Sequence, residues 1–229
     1  MAVRVEHMSM ADVPEVMAIE RDSFLTPWPG SAYKRELGEN RNAHYLVLRI
    51  DQPHAGSAAP PQSEPPAQAQ ERRSFWSQFF SLNRSRDLSP PAPDQQQLAG
   101  YAGLWLMVDE AHVTTIAVRP QFRGRGLGEV LLVALAEVAY DINARWLTLE
   151  VRVSNSVAQS LYRKYGFKPA GIRQRYYSDN QEDALIMWTD EIRSPEWHER
   201  FNELRLALRR RLVASGDLVG EVPDRTAPR

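Results

Sequence analysis

The run Ile116–Gly128 reads I-A-V-R-P-Q-F-R-G-R-G-L-G. It joins the end of an apolar, β-branched stretch to glycines and then to an amphipathic pattern. Arg119-Pro120 stops the strand, because proline cannot donate to a ladder and pushes its neighbour out of helical geometry. From Leu127 onward Val130, Leu131, Ala134, Leu135 and Val138 mark one helical face. Glycines ahead of a helix leave backbone N–H groups uncovered where the helix dipole favours an anion. Gly124, Gly126 and Gly128 supply that opening, and Arg123 and Arg125 add positive charge. The chemistry suggested is phosphate or diphosphate binding. Further along, Glu150 closes the apolar strand that begins at Trp146, and Asn155 and Tyr162 lie on the segment after it. A carboxylate at a cleft mouth can take a proton from an amine, and a phenol of ordinary pKa about 10 can return one. Read singly, each has a plainer role: Glu150 as a surface strand-end acid, Tyr162 as core, Asn155 as a helix cap.

Three phosphate cradles come into question. A Walker loop needs G-x-x-x-x-G-K-[ST], which the chain lacks. A dinucleotide fingerprint needs a third glycine, yet Glu129 or Leu131 stands there, although Glu150 could imitate its ribose-binding acid. The arrangement of Arg123, Gly126 and Gly128 is R-x-x-G-x-G. It resembles the acetyl-coenzyme A diphosphate motif of the GNAT acyltransferase superfamily.

The elements that must position these residues follow from periodicity. Arg4 to His7 is a short strand. Asp12 and Pro14 open a helix whose face carries Val13, Val16, Met17, Glu20 and Phe24. Leu25-Thr-Pro-Trp-Pro-Gly30 is a rigid aromatic loop, and Ser31 is placed to cap a second helix through Leu37. Strands are predicted over 43–50, 98–108, 111–118, 145–151, 167–177 and 184–189, and helices to about Asp141 and over 154–164. Residues 51–97 are rich in Pro, Ala, Gln and Ser and are expected to be a disordered insertion enlarging a hairpin loop. Within it the aromatic segment 75–82 reads either as a docking segment for a partner or a membrane surface, or as a piece that folds onto its own domain. Ser194-Pro195-Glu196 starts a last helix with a Trp197, Phe201, Leu204, Leu208, Leu212 stripe, followed by a frayed end. One domain is therefore expected over 1–50 and 98–190, with 191–229 as helix and tail.

Composition excludes several classes. The chain has 229 residues, 43% of them hydrophobic, enough for one core. A formal charge of −1 argues against direct nucleic-acid binding. There is no cysteine, hence no disulfide, thiol nucleophile or thiolate metal site. The five histidines form no ligand spacing, so no metal is expected. No run approaches the roughly 18 apolar residues of a membrane span, and a cytoplasmic protein is the expectation.

Beyond the cradle, four separated segments resemble the bacterial RimI family, the alanine N-acetyltransferases of ribosomal protein S-18. They are T-P-W-P at Thr26–Pro29, the stretch Leu149–Phe167, Arg173-Gln-Arg-Tyr-Tyr177 and E-D-A-L-I-M at Glu182–Met187. The resemblance implies an α+β GNAT fold: a mixed, mostly antiparallel sheet flanked by helices, with a V-shaped splay between its fourth and fifth strands. It implies acetyl-coenzyme A as co-substrate, with Ile116, Ala117 and Val118 pairing to the pantetheine arm and Arg123, Gly124, Arg125, Gly126, Leu127, Gly128 and Asn155 contacting the coenzyme. Glu150 falls on the family's general base and Tyr162 on its general acid. Trp28, Tyr176 and Tyr177 are expected to line a slot for a peptide N-terminus, with Glu182 and Asp183 facing a basic second residue. Two other readings stay open: acetylation of a lysine or small-molecule amine, and a coenzyme A-binding adaptor without turnover.

Overall fold

The computed structural model describes residues 2–51 and 96–216. The aromatic segment 75–82, nearly all of the expected insertion and the residues after 216 lie outside these. Seven strands form one sheet in the order β1-β2-β3-β4-β5-β7-β6. They are β1 (Val3–His7), β2 (Ala43–Asp51), β3 (Gln96–Met107), β4 (Glu110–Val118), β5 (Trp146–Arg152), β6 (Lys168–Tyr177) and β7 (Glu182–Trp188). Helices α1 (Val13–Ser23) and α2 (Gly30–Glu39) precede β2, α3 (Leu127–Asp141) links β4 to β5, α4 (Ser156–Lys164) links β5 to β6, and α5 (Pro195–Ala214) follows the sheet. No helix among the described residues is long and apolar enough to cross a membrane.

All neighbouring strands run antiparallel except β4 and β5, as expected of two strands joined through a crossover helix. The parallel pairing runs only from Glu110–Trp146 to Val113–Leu149. Beyond it β4 stays on β3, while Glu150, Val151 and Arg152 pair with β7. The expected splay therefore opens after Val113. A β-bulge coincides with it: Leu104 pairs Val113 and Gly103 pairs Thr115, leaving Thr114 as the extra residue. A bulge flips the alternation of side chains. Ala111 and Val113 thus face the core shared with α3 and α5, whereas Ala117 faces the core under α1 and α2.

Local chemistry accounts for the helix ends. Ser194 accepts a hydrogen bond from Trp197 N at 3.2 Å, with Pro195 in the first helical position. The stripe on α5 packs back onto the main core through Trp197, Phe201, Leu208 and Leu212. Several sequence boundaries shift. Asp12 stands at the N-cap position of α1 but makes no cap hydrogen bond to it; it ends a short 3₁₀ turn, Met10–Asp12, and its side chain accepts from Ser9 N at 2.8 Å. Pro29, not Ser31, precedes α2, which runs to Glu39. Asp51, Gln96 and Gln97 belong to the β2–β3 ladder and not to the intervening segment. Val108 is a turn residue at φ 60°, and 97% exposed, since a tight turn required positive φ where the sequence offers no glycine.

Gly103, beside the bulge, makes close packing possible. A Cβ there would lie 2.4 Å from the Tyr45 ring and 3.1 Å from Thr114 Oγ1. Tyr45 is a buried part of the α1–α2 side. Gly103→Ala should therefore force the ring or the bulge to move, costing about 1–3 kcal/mol in denaturant-induced unfolding; an unchanged midpoint would show that the wall relaxes freely.

Candidate active site

The fork in the sheet brings together residues that sequence alone kept apart. His112 is the register partner of Thr148 across the parallel pair, and Glu150 follows Thr148 on the same face. His112 Nδ1 lies 2.9 Å from Thr148 Oγ1 and its Nε2 3.0 Å from Glu150 Oε2. An ionised carboxylate only accepts, so Nε2 carries the proton and, in the neutral ring, the Thr148 hydroxyl donates to Nδ1. Arg173 from β6 approaches Glu150 Oε1 at 3.1 Å. The Glu150 side chain is only 6% exposed. Burial pushes its carboxyl upward, but the His112 hydrogen bond and charge and the Arg173 guanidinium outweigh it and hold the pKa below the ordinary value.

Glu150 lies in the wall of a cleft of about 590 Å³ formed with the α1–α2 loop and the β6–β7 turn. Trp28, Tyr176 and Tyr177 line the same cleft, as does His112. Its floor is organised by Glu20, whose side chain reaches inward instead of to solvent. Glu20 Oε1 accepts from Tyr33 Oη at 2.5 Å and from Tyr101 Oη, and Oε2 accepts from Trp28 N at 3.1 Å. Burial, the neighbouring phenol and Glu20 push the Tyr33 hydroxyl up, and burial with Glu20 does the same to Tyr101; both stay protonated. One carboxylate thus pins the T-P-W-P loop over the cleft. Three buried polar atoms in the wall, Tyr45 Oη, Trp105 Nε1 and Thr114 Oγ1, make no hydrogen bond of ordinary geometry. The three lie against one another inside the wall, Trp105 and Thr114 meeting the Tyr45 hydroxyl.

Glu182 and Asp183 do not face the cleft's contents as expected. Glu182 accepts from Arg152 Nη1 at 3.1 Å and Ser154 N at 2.8 Å, and Asp183 accepts from Arg175 N at 2.8 Å. They brace the turn. Arg152, held by Asp179 at 2.5 Å, stacks on Tyr177 at 3.8 Å and so fixes that ring.

On the other side of the fork stands the glycine stretch. Ile116, Ala117 and Val118 lie on the part of β4 that has no β5 partner. Gly124 and Gly126 are left-handed, at φ 77° and 80°, a conformation that costs other residues steric strain. A side chain on Gly124 would meet nothing within 4 Å, and one on Gly128 only Val118 at 3.9 Å. The backbone there is open to a ligand at the N-terminus of α3, beside Leu127. Arg123 turns back to brace the loop, donating from Nε to Val118 O at 3.0 Å and from Nη2 to Ser23 Oγ at 3.3 Å. Arg125 precedes the left-handed residue that opens the helix. In the first turn Glu129 is buried, with Lys164 Nζ at 2.6 Å, Tyr165 Oη at 2.7 Å and Arg211 Nη2 at 2.6 Å. Burial raises its pKa, yet these partners bring it below the ordinary value.

Asn155 caps α4, accepting from Ala158 N at 3.1 Å. Tyr162 is half-buried on that helix, its ring 5.6 Å from Phe167, and burial pushes its phenol up to about 12. It is not among the residues lining the cleft that holds Glu150. Four residues of the site escaped sequence reasoning: His112, Arg173, Glu20 and Glu129. For His112 the signal was present but needed the strand register, since only the parallel pairing puts it beside Glu150. Among the described residues no group of three His, Asp or Glu is placed to hold a metal ion.

A sheet forked at its parallel pair, with a glycine-opened helix beside the fork, is the architecture of an acyltransferase. The model of the Acetyltransferase (GNAT) family matches residues 57–167. A candidate [ribosomal protein bS18]-alanine N-acetyltransferase of Bacillus subtilis is 38% identical over 184 residues, 80% of this chain and 93% of that protein. The [Ribosomal protein bS18]-alanine N-acetyltransferase of Salmonella typhimurium is 40% identical over 116 residues, 49% of this chain and 78% of that protein. The crystal structure of the Escherichia coli ribosomal-protein-S18-alanine N-acetyltransferase superposes with a TM-score of 0.56 at 25% identity, covering 82% of this chain and 92% of that one. The chain belongs to the GNAT acetyltransferases, in the RimI group of protein-alanine N-acetyltransferases.

Arg173 and His112 both lower the Glu150 pKa. Removing Arg173 takes away one stabiliser of the charged form while burial remains, so the carboxyl must titrate higher. Activity that depends on ionised Glu150 is lost as pH falls through its pKa. Arg173→Ala should move the acidic limb of kcat/KM to higher pH; an unmoved limb would separate Glu150 from that limb.

Proposed function

We propose that the protein transfers the acetyl group of acetyl-coenzyme A to the α-amine at a protein N-terminus, with the N-terminal alanine of ribosomal protein S18 as the substrate. The observation that carries this reading is the place of Glu150. It stands buried at the fork, between the aromatic cleft and the part of β4 that β5 has left. The named relatives support the choice of substrate. The open backbone at Gly124 and Gly128 and the N-terminus of α3 fit a diphosphate, and the unpaired β4 segment fits an amide-bearing arm. Acetyl-coenzyme A supplies a thioester carbonyl, at which the amine forms the C–N bond as the C–S bond breaks.

The residues divide the remaining work. An α-ammonium entering along Trp28, Tyr176 and Tyr177 takes the place of Arg173 at Glu150. A carboxylate held low is a weak base, so Glu150 draws the ammonium in and passes its proton on through water. An α-amine titrating near 8 is already neutral in roughly a tenth of molecules at pH 7, whereas a lysine near 10.4 is neutral in far fewer. A backbone N–H of Ile116–Val118 donates to the carbonyl oxygen as it gains charge, the largest single contribution in many acyl transfers. The raised pKa of Tyr162 keeps its phenol protonated at neutral pH, as a donor to the departing sulfur must be. Asn155, with its Oδ1 spent on the helix cap, has its amide N–H groups for the pantetheine arm. The reaction takes place in the cytoplasm.

Incubation with acetyl-coenzyme A and a peptide copying the S18 N-terminus, followed by mass spectrometry, tests the whole. Acetylation at the α-amine is expected. Modification of lysine or of free amines alone would move the protein to another substrate class, and coenzyme binding without any product would make it an adaptor. Glu150→Gln should bind coenzyme normally and lose roughly 10²–10⁴ in turnover. Turnover unaltered in Tyr162→Phe would remove that residue as the acid.

A further inference from the structure

Glu129 poses an electrostatic problem that the coenzyme reading does not by itself answer. It is the third residue of α3, in the turn whose amides face the proposed diphosphate. An acid there suits the helix dipole, but it brings a negative charge to the site of an anion. Two cations bracket it. Lys164 comes from the end of α4 and Arg211 from the last turn of α5, each at 2.6 Å. The three groups together carry one net positive charge. Arg211 also packs directly on the residue that opens the helix: a Cβ on Gly126 would lie 3.1 Å from Arg211 Nη2. Leu212 and Leu208 of the same helix would lie at 3.6 and 3.8 Å from that point. Both leucines are buried in the main core, so α5 is anchored where it meets the loop. Arg211 itself remains 52% exposed.

We propose that Arg211 is a positioning residue for coenzyme binding: it offsets Glu129 and holds the left-handed Gly126 so that the N-terminus of α3 presents its amides to the diphosphate. The last helix of the fold is thereby a part of the coenzyme site, although it carries none of the glycine motif. This rests on the assignment of the glycine stretch to acetyl-coenzyme A. Glu129 keeps its ion pair with Lys164 when Arg211 is lost, so the fold survives while the field at the helix end becomes less positive.

The test compares the unaltered protein with Arg211→Met, Arg211→Lys and, as a control, Arg205→Met. Arg205 pairs with Glu137 at 3.0 Å across the same two helices but away from the glycine loop. Thermal melting verifies folding of each. Arg211→Met should raise KM for acetyl-coenzyme A and weaken coenzyme A binding in calorimetry by the same roughly three- to tenfold, with the peptide KM unchanged. Arg211→Lys should recover most of the loss. With S-acetylpantetheine as donor, which lacks the diphosphate, the unaltered protein and Arg211→Met should perform alike. Equal losses with both donors, an equal loss in Arg205→Met, or no loss at all would overturn the proposal. Failure of coenzyme A to bind the unaltered protein would instead sink the coenzyme assignment on which it stands.

Discussion

The parting of β4 and β5 after the Val113–Leu149 pair is the constraint on which the rest depends. Two parallel strands that separate leave backbone groups without partners, which is costly unless something else pairs them. On the β5 side β7 does so, taking Glu150, Val151 and Arg152 into an antiparallel ladder. On the β4 side no strand among the described residues does, and that segment leads straight into the glycine loop. The bulge at Thr114 shifts the alternation of β4 at the same point, so that Val113 before it and Val118 after it share the main core while Ala117 faces the other. A single irregularity thus produces the opening, the change of face and the position of Glu150 at its edge.

Three buried acids hold the elements of this arrangement in register. Glu20 ties the Trp28 loop to two phenols beneath the sheet, Glu129 ties α3 to α4 and α5, and Glu150 ties β4 to β5 and β6 through His112 and Arg173. A buried carboxylate stripped of its partners is strongly unfavourable, typically by about 3–5 kcal/mol, so each acid enforces a geometry more than it adds net stability.

Much of this was legible in the sequence because its signals are local. Ser194-Pro195-Glu196 announces a helix through capping chemistry that needs no neighbours, and the helix begins there. The apolar spacing after Gly126 gives α3, and a crossover helix between two strands implies the parallel pair. Trp28, Tyr176, Tyr177 and Glu150, far apart in the chain, could be grouped only through a family resemblance, and the cleft does contain all four. Asp12 misled because an aspartate before a helix resembles a cap, while its carboxylate is drawn instead to Ser9 and Arg49.

Composition, periodicity and motif spacing therefore determined the class of fold, the glycine-rich strand-to-helix loop and the acid near the end of β5. Register and packing decided what surrounds that acid. His112 has no neighbour in sequence to mark it, and it reaches Glu150 only because parallel pairing sets it opposite Thr148. Arg173 reads as a surface cation on an exposed edge strand until the sheet order lays β6 beside β7 and β7 beside β5. Arg211 lies far along the chain from the glycine loop, and only the packing of α5 on the core brings its charge to the first turn of α3. Side-chain type and local spacing are properties of the chain; the electrostatic field at a site is a sum over distances, and distances between remote residues exist only once the chain has folded.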